Sequence, residues 1–147
     1  QLFKKEKNMA FTQWEDKLSV FDDIIDNQHQ HLISLVNKAY EMLKNQGQKE
    51  DVAKLIQELI LYVQTHFSHE EKFMKINKYP DIQEHIEAHQ DLTKRVGEVK
   101  SAIEAGNINA EKALFNLLND WLVDHIINMD GRYAKYFKES NKKILPV

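Results

Sequence analysis

The sequence predicts an all-α protein, an up-down-up-down antiparallel four-helix bundle with an N-terminal arm and a short C-terminal helix. Apolar residues recur at helical spacing in four blocks, which is the primary signal for amphipathic helices. Only four Gly and two Pro interrupt the 147 residues, so long helices are expected. The connections between the blocks are short, and short connections require neighbouring helices to run antiparallel.

The first helix is expected over about residues 22–45 and ends at Asn45-Gln46-Gly47, because a glycine commonly follows the last turn of a helix. The second helix covers roughly residues 50–76. Tyr79-Pro80-Asp81 ends it and begins the next, since proline cannot continue a helix but is suited to a first turn.

The third helix is expected over about residues 81–105, and Gly106-Asn107 closes it. The fourth begins near Asn109 and keeps an apolar face inward as far as His125. The aromatic residues after Gly131 predict the short C-terminal helix; they are Tyr133, Tyr136 and Phe137.

The length is that of one domain with one core. We place the domain at residues 14–140, with Trp14 packed along the bundle. Residues 1–13 are interpreted as an N-terminal arm or a linker stub, and residues 141–147 as a C-terminal tail.

Charge and hydropathy exclude several classes of function. The net charge is -3 with both signs mixed along the chain, so no basic stripe is available for nucleic acid. The most apolar stretch, residues 52–63, is too short and too interrupted by polar residues to span a membrane. The N-terminus does not have the pattern of a secretory signal, and we expect a cytoplasmic protein.

Polar residues with metal-binding side chains interrupt the inward face of every helix. His66 and Glu70 are four residues apart, as are His85 and His89, so each pair projects from one helical face. Burying such groups without a partner costs about 1 to 3 kcal/mol each, which indicates that they share one. The seven candidate metal ligands are His29, His66, Glu70, His85, His89, His125 and Asp130.

Each of these residues also has a simpler interpretation, because a single buried histidine is more often a hydrogen-bonded core residue than a ligand. Their joint occurrence, with one piece on each helix, favours the metal site. His31 lies two residues from His29 and points away from it, and His69 has no matching partner, so both are expected at the surface or the rim.

Imidazole and carboxylate ligands together suit iron, and the absence of cysteine removes the zinc-finger and iron-sulfur alternatives. Two six-coordinate irons offer twelve positions. Five histidines, two bridging carboxylates and one bridging oxo or hydroxo group fill eleven of them, which leaves one position open for a gas molecule. We therefore predict two Fe ions as the cofactor.

Asp130 is the awkward member of the set. It follows His125 by five residues, which places it about 140° away from His125 around a regular α-helix. Either a π-type bulge or a helix end must bring it inward, and Gly131 beside it permits both.

Two other metal scaffolds do not match the sequence. Ferritin-like bundles use paired Glu-x-x-His motifs, and no Glu in this chain has a His three residues later. The zinc-protease motif His-Glu-x-x-His is also absent, because His69-Glu70 is followed by Glu71, Lys72 and Phe73.

As a set, the motifs resemble those of hemerythrins of the bacterial type, over nearly the whole chain from Trp14 to about Phe137. The matching pieces are Ile25-Asp26-Asn27-Gln28-His29, His66-Phe67-Ser68-His69-Glu70-Glu71 with Met74 and Tyr79-Pro80, His85-x-x-x-His89, and Trp121-Leu122-Val123-Asp124-His125 with Asp130 and Tyr133. One departure is Ser19-Val20-Phe21, where the family usually has Ser-Val-Gly. It indicates a different path for the loop before the first helix.

The resemblance implies a non-haem di-iron centre that is bridged by Glu70, Asp130 and an oxygen atom. It places His85, His89 and His125 on one iron and His29 and His66 on the other, and the iron with two histidines is the one that binds O2. Five apolar residues match the family's O2 pocket and would keep water away from the iron. They are Leu32, Phe67, Trp121, Leu122 and Ile126, and ordinary core packing is a compatible interpretation of each.

Two functions follow from this interpretation. The first is reversible O2 binding for carriage, storage or delivery, by a protein that is not an enzyme. The alternative is an O2- or redox-sensing domain of a larger signalling protein, in which the ligand shifts a two-state equilibrium of a covalently attached module. Gln1 is not a natural start and Met9-Ala10 lies where a free-standing member would begin, so the reading frame upstream of Gln1 would decide between them.

A small-molecule oxidase or peroxidase is a third interpretation, and it is less favoured because no additional acid or base is expected to face the pocket. Nitric oxide and small anions are further candidate ligands.

Overall fold

The computed structural model describes residues 14–20, 22–107, 109–140 and 143–147, and within them it contains helices and no strand. A short 3-10 turn at Asp16–Leu18 precedes the first long helix. The four long helices and the shorter last one are α1 (Asp23–Lys44), α2 (Lys49–Ile76), α3 (Ile82–Glu104), α4 (Ala110–His125) and α5 (Gly131–Glu139).

The long helices form a closed ring in which each contacts the next, and α1 also contacts α4. The connections between them are four or five residues long, which is short enough to require antiparallel neighbours. The predicted all-α four-helix bundle is therefore confirmed. Within the described residues, no helix has the length and apolar character needed to cross a membrane.

The helix ends follow local hydrogen bonding. The Asp22 carboxylate accepts a hydrogen bond from Ile25 N at 2.9 Å and caps the start of α1. At the end of α1 the left-handed backbone falls on Gln46, with φ 52°, and not on the expected Gly47. Gly47 serves the same turn differently, because a Cβ there would lie 3.2 Å from Met42 O. A side chain at this position would press on the Met42 carbonyl, so the turn favours glycine.

The helical segment that begins with α4 and ends with α5 is not a regular α-helix throughout. Residues Ile126–Asp130 form a π-helical turn, and α5 follows directly. The short C-terminal helix is where the sequence predicts it. Of the two arrangements considered for Asp130, the structure has the π turn.

Buried apolar residues form two clusters that are separated by a polar band. The larger cluster fills most of the bundle, includes Leu32, Phe67, Leu122 and Ile126, and has Trp14 packed against it as expected. The smaller cluster contains Ile25, Phe73, Met74, Tyr79, Tyr133 and Phe137, among others. Along each rod the candidate ligands lie between residues of the two clusters, so the polar band is enclosed by apolar side chains on both sides.

The loop before α1 is held by Asp26. Its carboxylate accepts hydrogen bonds from the Ser19 hydroxyl and from Val20 N. Phe21, on which the departure from the family pattern rests, lies outside the described residues, as do residues 1–13 of the predicted arm and residues 141–142 of the predicted tail.

Candidate metal centre

All seven predicted ligands are buried in one place. His29 comes from α1, His66 and Glu70 from α2, His85 and His89 from α3, His125 from the end of α4, and Asp130 from the π turn. Glu70, Asp130 and His29 are 0% exposed, and the other four residues are at most 3% exposed. The structure thus brings all seven candidate metal ligands together.

The seven residues divide into two overlapping groups whose ligand atoms lie within 4.8 Å of one another. One group has three histidines, His85, His89 and His125, and the other has two, His29 and His66. Glu70 and Asp130 belong to both groups. Two metal positions that share two carboxylates would use this arrangement directly.

Asp130 divides its two oxygens between the groups. Its Oδ1 lies 2.9 Å from His85 Nε2 and 3.0 Å from His125 Nε2, whereas its Oδ2 lies 2.9 Å from His29 Nε2. The two carboxylate oxygens therefore face opposite groups, as a bridging carboxylate must.

Glu70 also directs one oxygen to each histidine group. Its Oε1 lies 2.8 Å from His85 Nε2 and 3.0 Å from His89 Nε2. Its Oε2 lies 3.5 Å from His66 Nε2 and 3.6 Å from His29 Nε2. The two carboxylates thus make the same separation between a three-histidine side and a two-histidine side.

Several buried polar atoms of this cluster have no hydrogen-bond partner among the described residues. They are both ring nitrogens of His29, Nδ1 of His85, and both oxygens of Asp130. Because an unsatisfied buried polar group costs about 1 to 3 kcal/mol, such a concentration needs an external partner. Imidazole nitrogens and carboxylate oxygens are the ligand types of iron in non-haem sites, so the donor set fits two iron ions.

The protonation behaviour of the cluster reflects the two carboxylates. Burial lowers the pKa of His29, His85 and His125, but the contacts of these rings with Asp130 and Glu70 outweigh it and raise each pKa to about 9. Burial dominates at His66, whose pKa falls to about 4. As long as no metal binds, protons on imidazole rings therefore offset the carboxylate charges.

The two acids keep their charge despite complete burial. Burial favours the neutral form, but neighbouring histidines act against it. Glu70 titrates only in the acid range in which His66 is protonated, so the charge of His66 and hydrogen bonds from other rings bring the pKa of Glu70 well below its usual value. His125 and His29 lower the pKa of Asp130. Both side chains are therefore available as anionic ligands over the whole physiological range of pH.

Three further residues hold the ligands in place; the sequence shows them within the matching motifs but does not assign them this role. Nδ1–H of His66 donates to Gln28 Oε1 at 2.7 Å, and Nδ1–H of His89 donates to Glu71 Oε1 at 3.0 Å. The buried Tyr133 hydroxyl donates to Glu70 Oε2 at 3.1 Å. The rule that a ligating histidine needs an acceptor on its outer nitrogen predicts that such residues exist, but not which ones they are.

The π turn that carries Asp130 is tied to the start of α3. Arg132 Nη1 donates to Glu84 Oε1 at 3.0 Å, and Arg132 Nη2 reaches Asp81 Oδ2 at 3.3 Å. Arg132 lies two residues after Asp130, and Glu84 precedes His85 directly. The ion pairs therefore join the segments that bring these two candidate ligands together.

The five predicted pocket residues surround the centre unequally. The Phe67 ring stacks on His89 with centroids 3.7 Å apart, and the Trp121 ring stacks on His125 at 4.2 Å. Leu32, Leu122 and Ile126 are buried in the larger apolar cluster, and Trp121 is partly exposed. Aromatic faces thus cover two rings of the three-histidine group.

The two histidines that were expected outside the site lie outside it. His31 is exposed on α1, where its ring is 4.2 Å from that of Tyr62. His69 is partly exposed on α2 and belongs to neither candidate group.

Comparison with known proteins gives matches over most of the chain. The family model described as the hemerythrin HHE cation binding domain matches residues 20–137. Bacteriohemerythrin of Stenotrophomonas maltophilia is 32% identical over 130 residues, covering 88% of this chain and 84% of the relative. Bacteriohemerythrin of Pseudomonas aeruginosa is 30% identical over 138 residues, covering 93% of this chain and 88% of the relative.

A crystal structure of a wild-type hemerythrin superimposes on the chain with a TM-score of 0.79. The two sequences are 27% identical, and the superposition covers 86% of this chain and 97% of that one. Sequence and structure comparisons therefore agree on one family.

Proposed function

The chain belongs to the hemerythrin HHE cation-binding family, and from this premise we propose that it binds O2 reversibly at two non-haem iron ions in its buried polar band. One observation carries the proposal. Glu70 and Asp130 each present one oxygen to a three-histidine group and the other to a two-histidine group. Seven protein ligands shared in this way suit a pair of ions that differ by one nitrogen ligand.

In this proposal His85, His89 and His125 hold one iron, and His29 and His66 hold the other. Glu70 and Asp130 bridge the two. Both carboxylates are completely buried and anionic, so they offset part of the metal charge inside a low-dielectric interior. Nε2 of His29 and both oxygens of Asp130, which have no hydrogen-bond partner among the described residues, would find their partners in the ions.

When bound, the two ferrous ions supply a coordination position for O2 and the electrons that hold it there. The position would be on the two-histidine side, where the protein offers one nitrogen fewer. The residues of the chain then have the task of keeping the geometry and keeping water out.

Exclusion of water is assigned to the apolar side chains around the polar band. Leu32, Leu122 and Ile126 are at most 6% exposed, and Phe67 and Trp121 cover His89 and His125. A dry surrounding slows the entry of protons and anions that would displace bound O2 and leave oxidised iron. Reversible binding, and not turnover of O2, is the behaviour that such a lining favours.

We assign the protein to carriage, storage or delivery of O2. The relatives share the name bacteriohemerythrin and are matched over 84 to 88% of their own length, which supports a similar role for this domain.

The proposal is tested by metal analysis combined with visible spectra. Purified protein should contain about two iron ions per chain, in keeping with two shared ligand groups. Its reduced form should change its visible spectrum when O2 is admitted and recover it when O2 is removed. One metal per chain, or zinc, would contradict the proposal, and steady O2 consumption with an added reductant would indicate an oxidase instead.

A further inference from the structure

The two candidate metal positions differ in the residues that hold their histidines from outside. We propose that Glu71 and Gln28 are positioning residues that give the two iron ions unequal reduction potentials. The inference rests on the di-iron function proposed above and adds a regulation of that site. It is carried by two hydrogen bonds, one to a carboxylate and one to a neutral amide.

His89, in the three-histidine group, is held by a carboxylate. Its Nδ1–H donates to Glu71 Oε1 at 3.0 Å, which leaves the Nε2 lone pair directed inward, 3.0 Å from Glu70 Oε1. The ring is 2% exposed and stacks on Phe67, whereas the Glu71 side chain is 32% exposed. The acceptor for the proton of this buried ring is therefore a carboxylate that is in contact with solvent.

His66, in the two-histidine group, is held by an amide. Its Nδ1–H donates to Gln28 Oε1 at 2.7 Å, and its Nε2 is directed inward, 3.5 Å from Glu70 Oε2. The contact is short, but the acceptor is neutral. Gln28 thus orients the ring as Glu71 orients His89, without adding a charge.

The difference has an electronic consequence. A carboxylate acceptor pulls the Nδ1 proton outward and makes the opposite nitrogen a stronger donor, and hydrogen bonds to ionised groups are roughly twice as strong as neutral ones. A stronger donor stabilises Fe(III) relative to Fe(II). Glu71 therefore lowers the potential on the three-histidine side, and Gln28 leaves the two-histidine iron easier to keep ferrous.

In this arrangement the ion with the open position is the more easily reduced of the two. The partners also come from neighbouring helices, since Gln28 on α1 holds a ring of α2 and Glu71 on α2 holds a ring of α3. The hydrogen bonds thus couple helix packing to the electronic properties of the site.

Reciprocal substitutions of nearly equal shape test the inference. Glu71→Gln removes the charge and Gln28→Glu introduces one, and the two one-electron midpoint potentials of the iron-loaded protein are measured by spectroelectrochemical titration. Outer-sphere substitutions typically change metal affinity 10- to 100-fold. A tenfold change in the preference for Fe(III) corresponds to about 59 mV. We expect Glu71→Gln to raise the lower of the two potentials by at least that amount and Gln28→Glu to lower the higher one, so that each variant brings the two potentials closer together.

Glu87→Gln is the matched control, because it removes a carboxylate from the exposed face of α3 near His89, where Glu87 accepts a hydrogen bond from Gln83. Its two potentials should remain close to those of the wild type. Shifts of the same sign in the two test variants, or shifts no larger than in the control, would overturn the inference.

A separate experiment measures whether the substitutions at Glu71 cause loss of iron. Retention of iron is followed in the presence of a chelator for Glu71→Gln and for Glu71→Asp, which keeps the charge. Retention by Glu71→Asp together with loss from Glu71→Gln supports the role of charge, and loss from both refutes it in favour of shape. If wild-type protein lacks two irons or its spectrum does not respond to O2, the proposed function fails; if it has both and only the potentials do not shift, the inference alone fails.

Discussion

His125 and Asp130 are five residues apart on one continuous rod, yet His125 Nε2 lies 3.0 Å from Asp130 Oδ1. In a regular α-helix their side chains would diverge by about 140°. The π turn at Ile126–Asp130 takes up one extra residue, so Asp130 occupies the position that a residue four after His125 would have in an α-helix. The second bridging carboxylate therefore depends on a single local irregularity of the backbone.

This relationship predicts opposite effects for a deletion and an insertion in the same turn. Deletion of Ile127, which is 42% exposed, should leave Asp130 four residues after His125 in a regular helix. Asp130 then stays within about 40° of the required face, and the protein should fold and retain most of its iron. Insertion of Ala after Ile127 should turn Asp130 away by about 100° and abolish iron binding. Both variants are examined by measuring their iron content and their thermal unfolding.

Insertion of Ala after Asn107, in the connection between α3 and α4, serves as the control for chain lengthening and should leave iron content unchanged. Equal iron loss in the deletion and the insertion at Ile127 would show that the π geometry itself is required, and it would contradict the argument.

Much of the fold and of the centre is predictable from the sequence because both depend on periodicity along single helices. The four-residue spacings of His66 with Glu70 and of His85 with His89 place each pair on one face whatever the neighbouring helices do. The bundle then needs only short connections to bring the pairs together. Asp130 is an exception, because its spacing of five residues from His125 does not fit one face of a regular α-helix.

The outer hydrogen bonds are not predictable in this way, because they join different helices. Gln28 reaches His66 and Glu71 reaches His89 through the rotation and the relative height of neighbouring helices, which periodicity does not specify. The left-handed backbone conformation of Gln46 could not be predicted for a related reason. The residue type alone suggests that the neighbouring glycine has the left-handed conformation. The geometry of the turn decides which residue has a positive φ and which one lies close to the backbone.

The ligand assignment makes a prediction for His89 and Glu70. Replacing either with Ala should lower iron content, and the iron-loaded protein should melt at a lower temperature because metal binding is coupled to folding. His31→Ala is the control, since His31 is exposed and lies outside both groups. Unchanged iron in either test variant would refute the assignment of that residue.

The raised histidine pKa values predict a pH dependence for protein stripped of iron with a chelator. His29, His85 and His125 have a pKa of about 9 in the folded chain, against 6.5 for an unperturbed histidine. Between these values the folded state holds more protons than the unfolded state, so its stability falls as pH rises. His66, with a pKa of about 4, acts only below pH 6.5.

Urea unfolding of stripped protein at pH 6.5 and pH 9 should therefore show a loss of at least about 1.4 kcal/mol, the equivalent of one pKa unit. Iron binding requires unprotonated rings, so iron-loaded protein should resist chelators better as pH rises through the same window. A flat or rising stability of the stripped protein would contradict the carboxylate contacts as the cause.

The apolar side chains around the centre predict that folding stability and protection of iron from autoxidation can be changed independently. Leu122 and Leu114 are buried on the same helix with exposures of 6% and 4%, eight residues or about 12 Å apart along α4. Either substitution to Ala should cost about 2 to 5 kcal/mol through lost packing. Only Leu122→Ala, three residues before His125, should open a path for water and speed autoxidation severalfold. The rate is followed by the decay of the O2-bound spectrum, and equal rates in the two variants would assign Leu122 to packing alone.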